Sequence, residues 1–450
     1  MRLYHLLFIS LMWLATAHAA DVAYRTVSTT EPATTLTLAT AIQLALEANP
    51  EISVARRERE AVAGAKVQAA IRPNPSVSAF MEDTRDATRQ TTIQLNQPFE
   101  LGGKRAARIE AADVRYEAAD AAIAAKQAEI RATVIAAFYD VLVAQERAAL
   151  AESSLQLAQR ASDAASKRVL AGKISPVEET KAKVAESAVR IERNQAQSQL
   201  ATARKRLTAL WGNPAPRFSE VAGEVDRLPA IAGLAHLSAM LPSSPVVRRA
   251  RLEVEQRLAL ARLEETKRTP DLTVSMGARR NEELGLNQAI LGVSIPIPVF
   301  DRNQGNLQEA LSRTDKARDE LAALQLQQAT QLDAAYERYE AARQEVELIR
   351  SDILPGAQRA YDAAAKGFEY GKFGFLDVLD AQRTFFLARS QYLNATLRGH
   401  QAYADIERLV GDIDHAAPIQ QSAEQSTQPD ATNAAEQPTT MQPAAVQPKE

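Results

Sequence analysis

Two acidic residues three apart, Asp377 and Asp380, stand just beyond a glycine-rich turn, Gly371-Lys372-Phe373-Gly374, at the head of a helical stretch that ends at Gly411. Their chemistry is electrostatic rather than catalytic, because no nucleophile or base accompanies them. Asp377, in the first turn of a helix beginning near Phe375, suits a capping role, since a carboxylate there meets the positive end of the helix dipole. The matching place earlier in the chain, after Gly172-Lys173-Ile174-Ser175, holds Glu178 and Lys181, a pair of mixed sign. Beyond the first twenty residues the histidines are His236, His400 and His415, far apart and with no second ligand three or four positions on. Structural or solvated imidazoles are therefore expected, not a metal site. Gly102-Gly103-Lys104-Arg105 lacks the earlier glycine and the following Ser or Thr of a phosphate loop. The absence of cysteine excludes disulfides, thiolate metal sites, a catalytic thiol and an acylated N-terminal Cys. A net charge of −3 offers nucleic acid no basic footprint. These residues predict no enzyme, no cofactor and no bound metal.

The elements that carry the two turns are duplicated. Gly172 to Gly212 and Gly371 to Gly411 align without a gap, with offsets 371 − 172 = 199 and 411 − 212 = 199. Ala182, Arg190, Ala196, Ala203 and Leu210 coincide with Ala381, Arg389, Ala395, Ala402 and Leu409. Length alone would suggest two or three ordinary domains, but a repeat of this size must be assigned first. Apolar residues make up 46% and charged residues 24%, and the central segments are dense in Ala, Leu, Gln, Glu, Arg and Lys, a mixture that favours long helices.

Met1-Arg2, the apolar run Leu6 to Ala15 and Ala17-His18-Ala19 read as a secretory signal over residues 1–20. No run approaches the length of a membrane-spanning helix. Residues 21–37 read as a poorly fixed leader. Repeat 1 covers 38–212 and opens with a helix ended by Asn49-Pro50, then a second from Glu51 to about Ile71. Repeat 2 covers 236–411, and its Ser244-Pro245 matches Asn49-Pro50 at 245 − 50 = 195. After these helices the period changes to two. Pro75 to Met81 and Thr92 to Gln97 alternate around a polar loop, as do Pro270 to Met276 and Ala289 to Pro298 around a loop near Arg279 to Asn287. The strands fall within about 75–98 and 270–298, long enough to cross a bilayer when tilted. A hairpin at the edge of a soluble domain has the same pattern. Four strands cannot close a membrane barrel, whose smallest forms need about eight, and lipid tolerates no open edge. If these hairpins enter a membrane, several chains must pool them, and three chains supply twelve.

From Gly103 to about Leu170, and from Gln304 to about Tyr370, the chain reads as helix, interrupted by proline only at Pro355. Each rod is roughly 100 Å long at about 1.5 Å per residue. Ala118, Ala121, Ala122, Ala125, Ala128, Ile130, Ala132, Val134 and Ile135 form a stripe for close helix packing. The returning helices, about 175–212 and 375–411, favour antiparallel hairpins over a single free coiled coil. Residues 213–235, rich in Pro and Gly, read as a connecting segment, and 412–450 as a disordered tail.

Signal peptide, two helices, an alternating hairpin, a very long helix, a glycine turn and a returning helix, all twice over, resemble the TolC-like outer-membrane efflux factors across about 38–411. Tyr370-Gly371 followed by Asp377-Val378-Leu379-Asp380-Ala381 looks like that family's tip motif, and Gln97-Pro98-Phe99-Glu100-Leu101-Gly102-Gly103-Lys104-Arg105 looks most like its cobalt-zinc-cadmium (CzcC-like) branch of heavy-metal efflux. The resemblance implies a mostly α fold with β hairpins: duplicated antiparallel helical hairpins in an α-barrel, and four strands per chain completing a 12-stranded β-barrel in a homotrimer. It implies a location in the bacterial outer membrane, reaching into the periplasm and contacting outer-membrane lipid. The partners implied are a periplasmic adaptor (membrane fusion protein) and a proton-driven inner-membrane pump. It also places Asp377 and Asp380 at the periplasmic aperture, where a carboxylate ring attracts cations and repels itself. Glu178 and Lys181 would make the first copy's contribution mixed in charge. Capping and aperture roles both remain open for Asp377. Gly172, Lys173, Ile174 and Ser175, with Gly371, Lys372, Phe373 and Gly374, would form the tip turns that meet the adaptor, where exposed Phe373 and Phe375 suit a contact surface. The function expected is a passive exit duct, for divalent metal, drugs or secreted protein. A periplasmic coiled-coil adaptor is the reading from another class.

Overall fold

The computed structural model describes residues 31–370 and 372–411. The expected signal peptide, the start of the leader, the tail from 412 and Gly371 lie outside the described residues. Strand β1 (Thr35–Thr37) leads into α1 (Leu38–Ala48) and α2 (Pro50–Ala69). Asn49 ends the first helix and caps the second, its side chain accepting from Glu51 N and Ile52 N, with Pro50 at the first helical position, where a missing N–H costs nothing. Strands β2 (Ser76–Glu82) and β3 (Gln90–Phe99) follow, then α3 (Lys104–Leu170) and α4 (Pro176–Ala209). The connecting segment holds β4 (Glu220–Ala222) and runs into α5 (Leu234–Met240). The second copy comprises α6 (Pro245–Thr266), β5 (Leu272–Asn281), β6 (Leu286–Ser294), α7 (Gln304–Leu348), a π-helical turn (Ile349–Ile353), α8 (Leu354–Glu369) and α9 (Phe375–Val410).

Helix α3 has 67 residues without Pro or Gly. Near the strands it packs against α2 and α6, and farther away against α4 and α9. Buried Ala107, Ala111, Ala121 and Ala125 let neighbouring backbones approach, and pairs such as Lys66 with Asp113 and Arg59 with Asp120, each 3.0 Å, align the rims. The large apolar side chains are concentrated halfway along. Val134, Phe138, Val141 and Leu142 of α3 meet Leu44 of α1, Leu207 of α4, and Phe218 and Val221 of the connecting segment. The rods are thus tied together at an equatorial core, where β1 pairs in parallel with β4.

Three sequence expectations change. The leader is fixed from Glu31 onward, because that carboxylate, 6% exposed, accepts from Trp211 Nε1 (3.2 Å), Asn213 Nδ2 (2.6 Å), Arg217 N (2.7 Å) and Phe218 N (3.2 Å). The last hairpin is shifted: β5 runs on through Arg279 and Arg280, β6 begins at Leu286, and Ile295 and Ile297 lie beyond the strand. The second long rod is not one α-helix. Pro355 lacks a donor and its ring would strike the carbonyl one turn back. The wider turn at Ile349–Ile353 lets α8 restart with proline at its beginning.

Candidate functional site: the strand sheet and the helical tip

The four long strands form one antiparallel sheet in the order β2-β3-β5-β6. Its register sorts side chains by chemistry. Val77, Leu95, Met276 and Leu291 lie in one row across all four strands, followed by Ala79, Ile93, Ala278 and Ala289. These form an apolar face, with Leu291 84% exposed. The opposite face carries Ser76, Asn96 and Ser275 in one row, linked by Asn96 Nδ2 donating to Ser78 Oγ (3.0 Å) and Ser275 Oγ donating to Asn96 Oδ1 (2.7 Å). Among the described residues β2 and β6 pair on one side only, so the sheet has two open edges. An apolar face and two open edges are costly in water and, for the edges, prohibited in lipid unless another sheet closes them. Ser76, Ser78, Gln94 and Asn96 share one face, and Val77, Ile93 and Leu95 share the other. Among the described residues no helix is long and apolar enough to cross a membrane.

At the far end the two turns have the same construction. Lys173 N donates to Arg168 O (2.9 Å) and Lys372 N to Gly367 O (2.8 Å), each closing a helix over five residues. Gly172 has φ 66°, a left-handed conformation that a side chain would strain. Ser175 caps α4 by accepting from Val177 N. In the second copy Asp377 Oδ2 accepts from Gly374 N at 2.8 Å, so Asp377 does cap α9. Asp380 is exposed, and its carboxylate has no partner among the described residues. Glu178 is neutralised by Lys181 at 3.1 Å. Lys173 and Lys372 are exposed, while Ile174 is half-buried. Phe373, 49% exposed, lies over Gly367, where any Cβ would collide with the ring. The Phe375 side chain lies outside the described residues. The two hairpin ends meet where the Arg168 guanidinium sits 4.4 Å from the centre of the Phe368 ring.

No group of three or more His, Cys, Asp or Glu that could hold a metal ion occurs among the described residues. His400 is fully buried, stacked on Tyr139 with ring centres 3.5 Å apart, and its Nε2 lies 3.4 Å from Val225 O. Burial pushes its pKa down to about 4, which makes it a packing residue. Asp140 is pushed above the usual carboxylate range, also by burial, against the opposing hydrogen bond from Gln401. The sequence reading missed the Glu31 anchor and placed Arg279 in a loop. The parity of Arg279 with Ser275 was the available signal for the latter.

A sheet with two open edges and an apolar face, standing on long paired rods, defines a membrane channel subunit. Comparison with known proteins makes the assignment specific. The family model described as outer membrane efflux protein matches residues 41–213 and 236–412, and the chain belongs to that family. It is 46% identical over 381 residues, 85% of this chain and 91% of the relative, to the cobalt-zinc-cadmium resistance protein CzcC of Cupriavidus metallidurans. It is 28% identical over 53% of its length and 54% of the relative's to the nickel-cobalt-cadmium resistance protein NccC of Alcaligenes xylosoxydans xylosoxydans. The fold matches the crystal structure of outer membrane protein VceC of Vibrio cholerae with a TM-score of 0.68 at 20% identity, covering 83% of this chain and 96% of that one. The protein is thus an outer-membrane efflux channel component that reaches into the periplasm, in a family of channels rather than enzymes.

Proposed function

We propose that three copies pool their sheets into a 12-stranded barrel and form a passive exit duct for divalent heavy-metal cations of the cobalt, zinc and cadmium type. The observation that carries this reading is the pair of open sheet edges beside a continuous apolar face. One chain cannot satisfy them, and closure with two further copies does. The metal cargo is supported by the name of the 46% identical relative. The rods extend the lumen through the periplasm, and Asp377 and Asp380 form an acidic ring at its narrow end, where three chains supply six carboxylates. Glu178 and Lys181 add a neutral pair to that end. The tip turns, Gly172 to Ser175 and Gly371 to Gly374, meet a periplasmic adaptor that connects the duct to a proton-driven inner-membrane pump. The duct itself converts no energy. Deleting the gene is expected to raise sensitivity to zinc, cobalt or cadmium. Unchanged metal tolerance together with lost drug resistance would refute the cargo assignment and leave the channel.

A further inference from the structure

The register of the sheet places two charges on the polar face of the described strands, and only two: Glu82 at the rim and Arg279 one row farther in. Arg279 is aligned with Thr92, which is itself aligned with Phe80, and with Gln288 on the other side. Its Nε donates to Thr92 Oγ1 (3.2 Å) and its Nη1 to Gln90 Oε1 (3.4 Å). Those partners are neutral, and they hold the guanidinium on the face that also carries Asn96 and Ser275. Most of the loop charges nearby are matched with one another, while Glu283 is exposed and has no ion pair among the described residues. Arg85 meets Asp83 at 2.7 Å, Arg89 meets Asp86 at 2.9 Å and Arg280 meets Glu282 at 3.3 Å. Among the described residues no carboxylate is paired with Arg279. Glu82, aligned with Gln90, stands about 7 Å farther toward the loops, two residues along a strand.

We propose that Arg279 is a charge-selecting residue of the duct: three copies form a positive ring just inside the outer mouth, which lowers the occupancy of cations there and favours anions. The proposal rests on the three-chain barrel proposed above. Twelve strands about 4.8 Å apart and tilted about 40° give a backbone radius of roughly 12 Å. Guanidinium groups lying against the wall are then about 8 Å from the axis, close to one screening length at physiological salt. Coulomb's law with that screening gives a depletion of about twofold to threefold for a monovalent cation, and roughly five- to tenfold for a divalent one, because the energy doubles with charge. Glu82 opposes this only at the rim, where bulk water and salt weaken it. Metal discharged through the duct is therefore not held at its exit, and external metal is not concentrated in it.

The test is the K⁺/Cl⁻ permeability ratio of the full-length protein in a planar bilayer, read from the reversal potential under a KCl gradient. Arg279→Gln is expected to raise the ratio by up to about four- to ninefold, because cation depletion and anion enrichment are both lost, Arg279→Glu to raise it further, and Arg279→Lys to leave it near that of the unaltered protein. Because the chain contains no cysteine, Arg279→Cys offers a test within the assembled pore. A cationic methanethiosulfonate should restore the original ratio, and an anionic one should move it the other way. A conducting Arg279→Gln pore with an unchanged ratio, or an Arg279→Cys pore indifferent to the sign of the reagent, overturns the ring and leaves the barrel standing. A purified protein that stays a monomer without detergent, with its strands folded against its own helices, overturns the barrel, and the ring with it.

Discussion

Asp377 and Asp380 sit three residues apart, yet the structure gives them different bonding, and that difference separates capping from charge. Asp377 accepts the Gly374 N–H at 2.8 Å, whereas the Asp380 carboxylate stands exposed and unpartnered among the described residues. Asp377→Ala removes a cap and a charge at the positive end of α9, with a local cost of about 1–2 kcal/mol. Asp377→Asn retains an acceptor and removes only the charge. Asp380→Asn should change stability by less than about 0.5 kcal/mol. Hydrogen exchange in the first turn of α9 should therefore accelerate by about fivefold or more in Asp377→Ala, since 1.4 kcal/mol is about tenfold, and change little in the two Asn variants. Single-channel conductance should behave otherwise. Each of the three variants removes three of six carboxylates, so each should relax the closed end and raise conductance, and neutralising both positions should raise it most. The charge argument is refuted if both Asn variants conduct like the unaltered protein while Asp377→Ala alone alters the pore. Conductance unchanged in the doubly neutralised protein would mean that the constriction lies elsewhere.

Two other consequences follow from buried polar groups. Glu31→Ala strands the four donors of Trp211, Asn213, Arg217 and Phe218 at a local cost of about 3 kcal/mol. It should abolish exchange protection across the Thr35–Thr37 and Glu220–Ala222 pairing, and protection equal to that of the unaltered protein would contradict the anchor. His400, held at about 4, binds its proton more weakly in the folded chain than in the unfolded one. Its neutral form is therefore no liability above about pH 6.5, while stability falls by about 3 kcal/mol as pH drops from there through 4. Replacing it with Phe, which keeps the stack on Tyr139, should flatten that part of the stability profile. A slope that survives the substitution would assign the pH dependence to other groups.

Much of the strand end could be read from residue order because its periodicities are local. The alternation of Val77 with Ser76 and Ser78, and of Ile93 and Leu95 with Gln94 and Asn96, specifies two faces whatever the partner strand. The shifted hairpin had only a weak local mark, the parity of Arg279 with Ser275. Arg279 and Arg280 look like loop residues, and their pairing with Thr92 and Thr91 establishes that they extend the strand. The tip was legible in part: glycine, turn and acidic helix start are adjacent, yet the unequal bonding of Asp377 and Asp380 is a matter of side-chain geometry.

What the sequence determined by itself was the repeat, the long rods and the amphipathic ribbons, all properties of composition and short-range spacing. Tertiary structure alone decided that Glu31 anchors the leader across 180 residues to Trp211, that the core lies halfway along the rods, that β3 joins β5, and that the second rod restarts at a π turn. Each of these depends on which distant segments meet, because a buried carboxylate, a strand edge or a widened turn is stabilised by partners that residue order does not name.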